Sequence, residues 1–279
     1  MYKKAFDSLQ RSTPLCHTHS FSFTSPSAGS SSQGRAAQYL RALHDFLCDI
    51  FFPRRCPVCD EVLPLFPSED IPHVCADCAK KLFPISDPVC MQCGRPLSSP
   101  REYCTACAKR RPVYHQGKSL YLYKGAIKES MYRFKYANRR EYAVFFAEEA
   151  LRLHAKWLTF QQFDLILPVP MYQKKKRARG YNQAEDFAVA LGDLLHIPVR
   201  TDLLVRVKNT TPMKGLSEKQ RAQNVKQAFH LKKIEVKYRH VLLVDDIFTT
   251  GSTMNAIAKE LAPVVTGNIC FLCICTGSV

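Results

Sequence analysis

The cysteines offer the clearest chemistry in this 279-residue sequence. Eight of the 13 cysteines form four C-x-x-C pairs between residues 53 and 117, separated by 15, 11 and 10 residues. A C-x-x-C turn lets two thiolates bind one metal ion, and two such turns complete the tetrahedral shell that structural zinc requires. We therefore predict two structural Zn²⁺ sites, with the ligands Cys56, Cys59, Cys75 and Cys78, and Cys90, Cys93, Cys104 and Cys107.

Pairing the cysteines in chain order is the simplest scheme, although their spacing also permits a cross-braced arrangement. A redox role would explain one C-x-x-C pair but not four. The sequence shows no secretory signal and its number of cysteines is odd, so a reduced cytosol fits better than a disulfide framework. No stretch approaches the roughly 18–20 apolar residues of a membrane helix. We therefore expect a cytoplasmic protein without membrane insertion.

A second group of residues suited to chemistry lies in the segment Val241–Thr253, which reads V-L-L-V-D-D-I-F-T-T-G-S-T. Its apolar run predicts a buried parallel strand that ends at the carboxyl edge of a sheet, where ligands bind in such folds. A tight turn follows, and the helix after it offers backbone N–H groups to a phosphate. The residues predicted to surround that phosphate are Thr249, Thr250, Gly251, Ser252 and Thr253.

Two adjacent carboxylates, Asp245 and Asp246, precede this loop. Their negative charges would repel a phosphate bound at the same position. They can therefore contribute to ligand binding only if they face sugar hydroxyls or a divalent metal ion. A phosphate on one side and a diol on the other describe a ribose 5-phosphate. The alternative interpretation is an ordinary strand-to-helix turn with a Ser/Thr cap and two solvated aspartates.

Strands alternate with helices in the C-terminal part of the chain, which predicts an α/β fold with a parallel, doubly wound sheet. The predicted strands are Phe163–Pro170, Val199–Val207, Val241–Val244 and Asn268–Cys275, and the predicted helices are Asn182–Leu195 and Ser252–Leu261. We divide the chain into a disordered extension (1–35), a module of one amphipathic helix and the cysteine pairs (36–117), and an α/β domain (118–279).

The formal net charge of +16 is concentrated in the α/β domain. Residues 118–180 carry 14 Lys and Arg against 5 Asp and Glu, and residues 200–240 carry 11 against 3, so a polyanion should bind this domain. Cations that follow a backbone and aromatic rings that stack on bases would suit single-stranded DNA. The aromatic candidates among these charges are Tyr132, Phe134, Tyr136 and Tyr181.

The segment Val241–Thr253 resembles the phosphoribosyl-pyrophosphate (PRPP) signature of type I phosphoribosyltransferases. From about Leu40 onward the chain resembles the ComF family of competence-related proteins. The motifs that carry this second resemblance are the cysteine pairs, Phe134-Lys135-Tyr136, Pro168-Val169-Pro170 and Arg177-Ala178-Arg179-Gly180-Tyr181-Asn182-Gln183. The resemblance implies a type I phosphoribosyltransferase-like sheet flanked by helices and preceded by a small zinc-binding module.

The resemblance also implies roles for individual residues. Asp245 and Asp246 would hold the ribose hydroxyls of PRPP, directly or through Mg²⁺, and the loop after them would hold the 5-phosphate. The basic segment Lys208–Asn224 stands in the place of the loop that closes over PRPP. Four further residues would shape or adjoin the pyrophosphate site: Pro170, Met171, Arg177 and Arg179.

Three functions are compatible with these patterns. The first is a ComF-like protein of natural transformation that binds PRPP, handles incoming single-stranded DNA and contacts other proteins of the competence machinery. The second is an active phosphoribosyltransferase that transfers ribose 5-phosphate from PRPP to an unknown acceptor. The third is a non-catalytic sensor of PRPP or nucleotides. PRPP turnover with candidate bases would favour the second function, whereas salt-sensitive binding of single-stranded DNA would favour the first.

Overall fold

The computed structural model describes residues 53–64, 73–207, 228–232 and 236–277. These residues belong to two compact units, Met1–Lys80 and Lys81–Val279. The predictions for residues 1–35, for the amphipathic helix that follows them and for the loop Lys208–Asn224 lie outside the described residues.

The described residues of the first unit, 53–64 and 73–80, form tight turns and one short helix around four cysteines. The N–H of Cys56 donates to the carbonyl of Glu61 over 2.8 Å, and the N–H of Asp60 donates to the carbonyl of Cys56 over 2.8 Å. Asp60 closes this turn with a φ of 69°, in the left-handed region that aspartate tolerates. The short helix α1 (Ala76–Ala79) begins directly after Cys75. The first C-x-x-C pair therefore lies on a turn, and the second spans the start of α1.

The second unit contains a parallel sheet and a small antiparallel sheet, whose strands in chain order are β1 (Gln116–Leu122), β2 (Leu165–Pro168), β3 (Leu204–Arg206), β4 (Phe229–Leu231), β5 (Val241–Phe248) and β6 (Ile269–Thr276). The parallel sheet has four strands in the order β1-β6-β5-β2, and β3 pairs with β4 in the antiparallel sheet. Every residue of β2 and of β6 is buried. Such continuous apolar runs are typical of a parallel sheet that is covered on both faces.

Helices precede or connect these strands. They are α2 (Thr105–Arg110), α3 (Gly125–Tyr136), α4 (Tyr142–Phe160), α5 (Gln173–Arg179), α6 (Gln183–Leu195) and α7 (Ser252–Leu261). The side chain of Asn182 caps α6 by accepting from the N–H of Ala184 over 3.2 Å. α7 buries Met254, Ile257 and Leu261, a spacing that gives the helix one apolar face. Among the described helices, none has both the length and the apolar character that crossing a bilayer requires.

The parallel sheet confirms the predicted fold class, and the predicted helix Ser252–Leu261 coincides with α7. The predicted strand Val199–Val207 is wrong in extent, because Val199 forms only an isolated bridge to Ile166 and the regular strand begins at Leu204. The sequence analysis did not predict β1, α3 or α4.

Gly117 in β1 allows the edge of the sheet to close over an aromatic cluster. A Cβ atom at this position would lie 2.0 Å from the Cζ atom of Phe271 in β6. The Phe271 ring also stacks on Phe248 (centroids 4.6 Å apart) and meets the ring of Tyr114 edge-on (5.0 Å). A side chain at residue 117 would therefore displace the ring on which the end of β5 is packed.

Replacing Gly117 with alanine tests this packing. Overpacking a core typically costs about 1–3 kcal/mol, so Gly117→Ala should lower the free energy of unfolding by that amount. A Cβ atom at Gly277 would meet no heavy atom within 4 Å, so Gly277→Ala should be nearly neutral. Urea denaturation of both variants compares the two sites, and equal stabilities would contradict the packing argument.

Candidate functional site

Asp245 and Asp246 lie where β5 extends beyond its neighbour β2. The register pairs the last residue of β2, Pro168, with Val244, whereas β5 continues beside β6 as far as Phe248. The N–H of Asp246 donates to Oδ1 of Asp245 over 2.8 Å. The two carboxylates therefore lie at the carboxyl edge of the parallel sheet, where ligands bind in folds of this kind.

A lysine on a neighbouring helix pairs with these carboxylates. Nζ of Lys135, in α3, lies 2.7 Å from Oδ2 of Asp246, and the two side chains are 14% and 20% exposed. Burial alone would lower the pKa of Lys135, but the charge and hydrogen bond of Asp246 together with the charge of Asp245 more than offset it, and the pKa is raised. The sequence analysis assigned no role to Lys135, and its place in the Phe134-Lys135-Tyr136 motif was the only signal that marked it.

The carboxylate of Asp245 is affected by burial and by charges of both signs. Burial raises the pKa of Asp245 to about 8, and the negative charge of Asp246 adds to this shift. The charges of Lys135 and Arg206 oppose it. Arg206 ends β3, and its guanidinium carbon lies 5.4 Å from the centroid of the Phe229 ring. Two cations that the sequence analysis did not assign to the site therefore act on the acidic pair.

The loop after β5 combines a tight turn with a helix start. Gly251 has a φ of +76°, which glycine adopts without strain, and it directly precedes α7. Oγ1 of Thr250 lies 2.9 Å from Oγ of Ser252, and the N–H of Asn255 donates to the carbonyl of Gly251 over 2.9 Å. The first N–H groups of an α-helix lack partners within the helix, so this loop directs donors at any anion placed there. Thr253 lies in the same first turn.

The predicted pyrophosphate residues are brought toward the same edge by β2. The N–H of Val169 donates to the carbonyl of Val244 over 2.8 Å, so Pro170 and Met171 follow at the carboxyl end of β2, beside β5. α5 comes next and carries Arg177, which is exposed, and Arg179. Contact of these four residues with a ligand remains a prediction.

The four sulfur atoms of each predicted zinc site lie within 4.8 Å of one another, in two clusters that follow the chain order. A tetrahedral shell with Zn–S bonds of about 2.3 Å places its sulfurs roughly 3.8 Å apart. Sγ of Cys59 lies 3.8 Å from Sγ of Cys75, and Sγ of Cys93 lies 3.8 Å from Sγ of Cys104. All eight cysteines are free of disulfides. The geometry fits two structural zinc ions and confirms the pairing in chain order.

The two clusters differ in their surroundings. The first belongs to the unit Met1–Lys80. The second, around Cys90 and Cys93, is fully buried and shares one apolar core with the sheet and α7 of the second unit. The side-chain amide of Gln92 donates to the carbonyls of Pro112 and Tyr114 over 3.1 and 3.0 Å. The second cluster is therefore an integral part of the α/β core.

This difference predicts unequal effects for two matched substitutions. Elemental analysis of the purified protein should find about two zinc ions per chain, and Cys75→Ser and Cys93→Ser should each lose one. Cys75→Ser should leave the thermal unfolding of the second unit unchanged, whereas Cys93→Ser should destabilise it, because the metal holds part of its core. Absence of zinc from the wild-type protein, with its thiols oxidised in pairs, would refute the assignment.

Comparison with known protein families gives separate matches for the cysteine-rich module and for the α/β domain. Residues 47–108 match the family described as the double zinc ribbon domain, and residues 182–277 match the phosphoribosyl transferase domain. Together with the parallel sheet, these matches confirm a phosphoribosyltransferase-like fold that is preceded in the chain by a zinc-binding module.

Three similar proteins carry names that refer to competence or to DNA utilization. Competence protein F of Haemophilus influenzae is 36% identical over 197 residues, which cover 67% of this chain and 83% of that protein. DNA utilization protein YhgH of Escherichia coli is 31% identical over 176 residues (62% and 77%), and competence protein ComFC of Bacillus subtilis is 29% identical over 196 residues (67% and 77%). At this identity and coverage, the chain belongs to the ComF family.

Proposed function

We propose that this protein acts in DNA uptake in the cytoplasm, where it binds Mg²⁺ and PRPP at the sheet edge and handles single-stranded DNA on an adjacent basic surface. The names of its relatives support a role with DNA. The observation that carries the proposal is a pair of exposed tyrosines in ring contact on α3, the helix that also supplies Lys135 to the acidic pair. Proteins of the competence machinery are the further partners that this role requires.

The ligand chemistry of the sheet edge supports PRPP. Asp245 and Asp246 offer carboxylate oxygens, which suit both a ribose diol and Mg²⁺, an ion that prefers oxygen ligands. The loop from Thr249 to Thr253 offers hydroxyls and helix N–H groups to the 5-phosphate. Because Lys135 pairs with Asp246 in this structure, a bound metal ion must displace that ammonium or share the carboxylate with it.

Two exposed tyrosines, with rings tilted by 46° to each other, offer aromatic faces on which bases could stack. Tyr132 and Tyr136 are 63% and 62% exposed, and their ring centroids lie 5.1 Å apart. The guanidinium carbon of Arg179 lies 4.8 Å from the centroid of Tyr136. Aromatic faces with an adjacent cation are the usual platform for single-stranded nucleic acid, because every base has a π face that can stack.

Burial separates these two rings from the other aromatic candidates. Phe134 is 0% exposed and Tyr181 is 4% exposed, so both belong to the core and neither can stack on a base. The basic helix α5 lies next to the platform through Arg179, and its cations Lys174, Lys175 and Arg177 are exposed. A strand whose bases stack on α3 would therefore meet a row of cations on α5 for its phosphates.

Removing the acidic pair tests the PRPP site. The double substitution Asp245→Asn and Asp246→Asn should abolish Mg²⁺-dependent binding of PRPP in calorimetry, since the amides retain the shape of the side chains without their charge. The matched control is Asp202→Asn, an exposed aspartate that pairs with Arg200 over 2.8 Å, and it should bind as the wild type does. Circular dichroism checks that the sheet is retained.

Two other outcomes would change the functional assignment. Unchanged PRPP affinity in the double variant would make the carboxylates bystanders. Release of pyrophosphate from PRPP on addition of a free base would instead identify an active phosphoribosyltransferase.

Replacing the two tyrosines tests the DNA surface. Stacking contributes about 1–3 kcal/mol per base, so Tyr132→Ala with Tyr136→Ala should weaken the binding of an oligothymidine strand about tenfold or more, with an unchanged salt slope. Phe160→Ala removes an aromatic ring that is 82% exposed at the end of α4 and serves as the control. Fluorescence anisotropy at several salt concentrations measures both quantities.

The charge of α5 should act on the salt slope instead. Neutralising Lys174, Lys175, Lys176, Arg177 and Arg179 together should flatten the slope by roughly 0.7 for each phosphate that the protein no longer neutralises. A wild-type protein that binds no single-stranded DNA at low salt would exclude this part of the proposal and leave PRPP binding as the surviving function.

A further inference from the structure

The second zinc ribbon, taken here as residues 90–114, reaches the phosphate loop directly. Nη1 of Arg110, the last residue of α2, donates to the carbonyl of Thr250 over 3.1 Å. Three residues later, the N–H of Val113 donates to Oδ1 of Asn255, in the first turn of α7, over 2.7 Å. The ribbon therefore holds both the loop and the helix that follows it.

Tyr114 makes a third contact between ribbon and loop. Its hydroxyl would lie 3.1 Å from a Cβ atom at Gly251, so it packs directly against that turn. Tyr114 is also buried in the same apolar core as the zinc ligands Cys93 and Cys107. Tyr114 thus lies between the metal cluster and the glycine of the loop.

The bond from Arg110 has a consequence for the N–H groups of the loop. In a planar trans peptide, the carbonyl and the N–H point in opposite directions. Because the Thr250 carbonyl is directed at Arg110, the N–H of the same peptide unit, which belongs to Gly251, is directed away from the ribbon. A loop binds phosphate only when its N–H groups converge on one point, so this orientation matters for affinity.

We propose that the second zinc ribbon orients the phosphate loop, with Arg110 as the positioning residue that fixes the Thr250–Gly251 peptide for phosphate binding. This proposal rests on the proposed binding of a phosphoribosyl ligand. It makes the ribbon a part of that site, in addition to its place in the core.

The metal ligands connect this orientation to zinc. α2 has only six residues, begins after Cys104 and contains Cys107. A helix of this length is unstable alone, so its cysteines must hold it in place through the metal. Arg110 therefore reaches Thr250 from a helix whose position depends on the zinc shell.

Binding of ribose 5-phosphate to the full-length, zinc-loaded protein tests the proposal, because this probe engages the phosphate loop without pyrophosphate. Arg110→Ala should weaken its affinity about tenfold, as expected for the loss of a charge-assisted hydrogen bond at the site. Arg110→Lys should recover part of the loss, since an ammonium can donate to the same carbonyl. Lys109→Ala removes the same charge from the adjacent exposed residue and should change affinity less than about twofold.

A second measurement separates orientation from general damage and from the proposed function. In ¹⁵N-labelled protein without ligand, the amide signal of Gly251 should shift in Arg110→Ala and stay in place in Lys109→Ala, while zinc content and melting temperature remain at wild-type values. If the wild type does not bind ribose 5-phosphate but the Gly251 signal still shifts, the proposed function fails and the orienting role stands. An unmoved Gly251 signal would overturn the inference, and so would equal affinities of Arg110→Ala and Lys109→Ala when the wild type does bind ribose 5-phosphate.

Discussion

The ion pair between Lys135 and Asp246 is the interaction on which the rest of the site depends. Two carboxylates at the end of an apolar strand repel each other and lose hydration, and burial shifts the pKa of Asp245 accordingly. Removing one partner from a buried ion pair typically costs about 3–5 kcal/mol, because the other charge is left uncompensated. The nearly buried ammonium of Lys135 is therefore what allows β5 to carry an acidic pair next to its core.

This pairing fixes the place of α3 as well. The helix buries Ile127, Met131 and Phe134 in the core, while Lys135 reaches the sheet edge. The same packing leaves Tyr132 and Tyr136 exposed, with their ring centroids 5.1 Å apart. One helix thus connects the acidic pair with an aromatic surface, so the two proposed ligands would bind to neighbouring parts of a single element.

The two zinc clusters have distinct structural roles despite their shared C-x-x-C spacing. The first holds together turns in the unit Met1–Lys80, which contains little other regular structure among its described residues. The second lies in the core of the other unit and joins β1 through the N–H of Gly117, which donates to the carbonyl of Gln92 over 2.8 Å. In the second case the same segment continues to Arg110, which donates to the carbonyl of Thr250, and in our proposal this contact couples metal binding to the shape of the ligand edge.

The sequence by itself determined the features that are encoded locally. The C-x-x-C spacing specified both metal clusters, and the run from Val241 to Thr253 specified a strand, a tight turn and a helix, because each rests on contacts between near neighbours in the chain. Only the tertiary structure decided which distant side chains meet this segment. Lys135 and Arg110 lie more than 100 residues before their partners Asp246 and Thr250, so no local period could reveal them. Burial likewise separated Tyr136 from Phe134, because exposure depends on what packs over each face of the helix rather than on residue type.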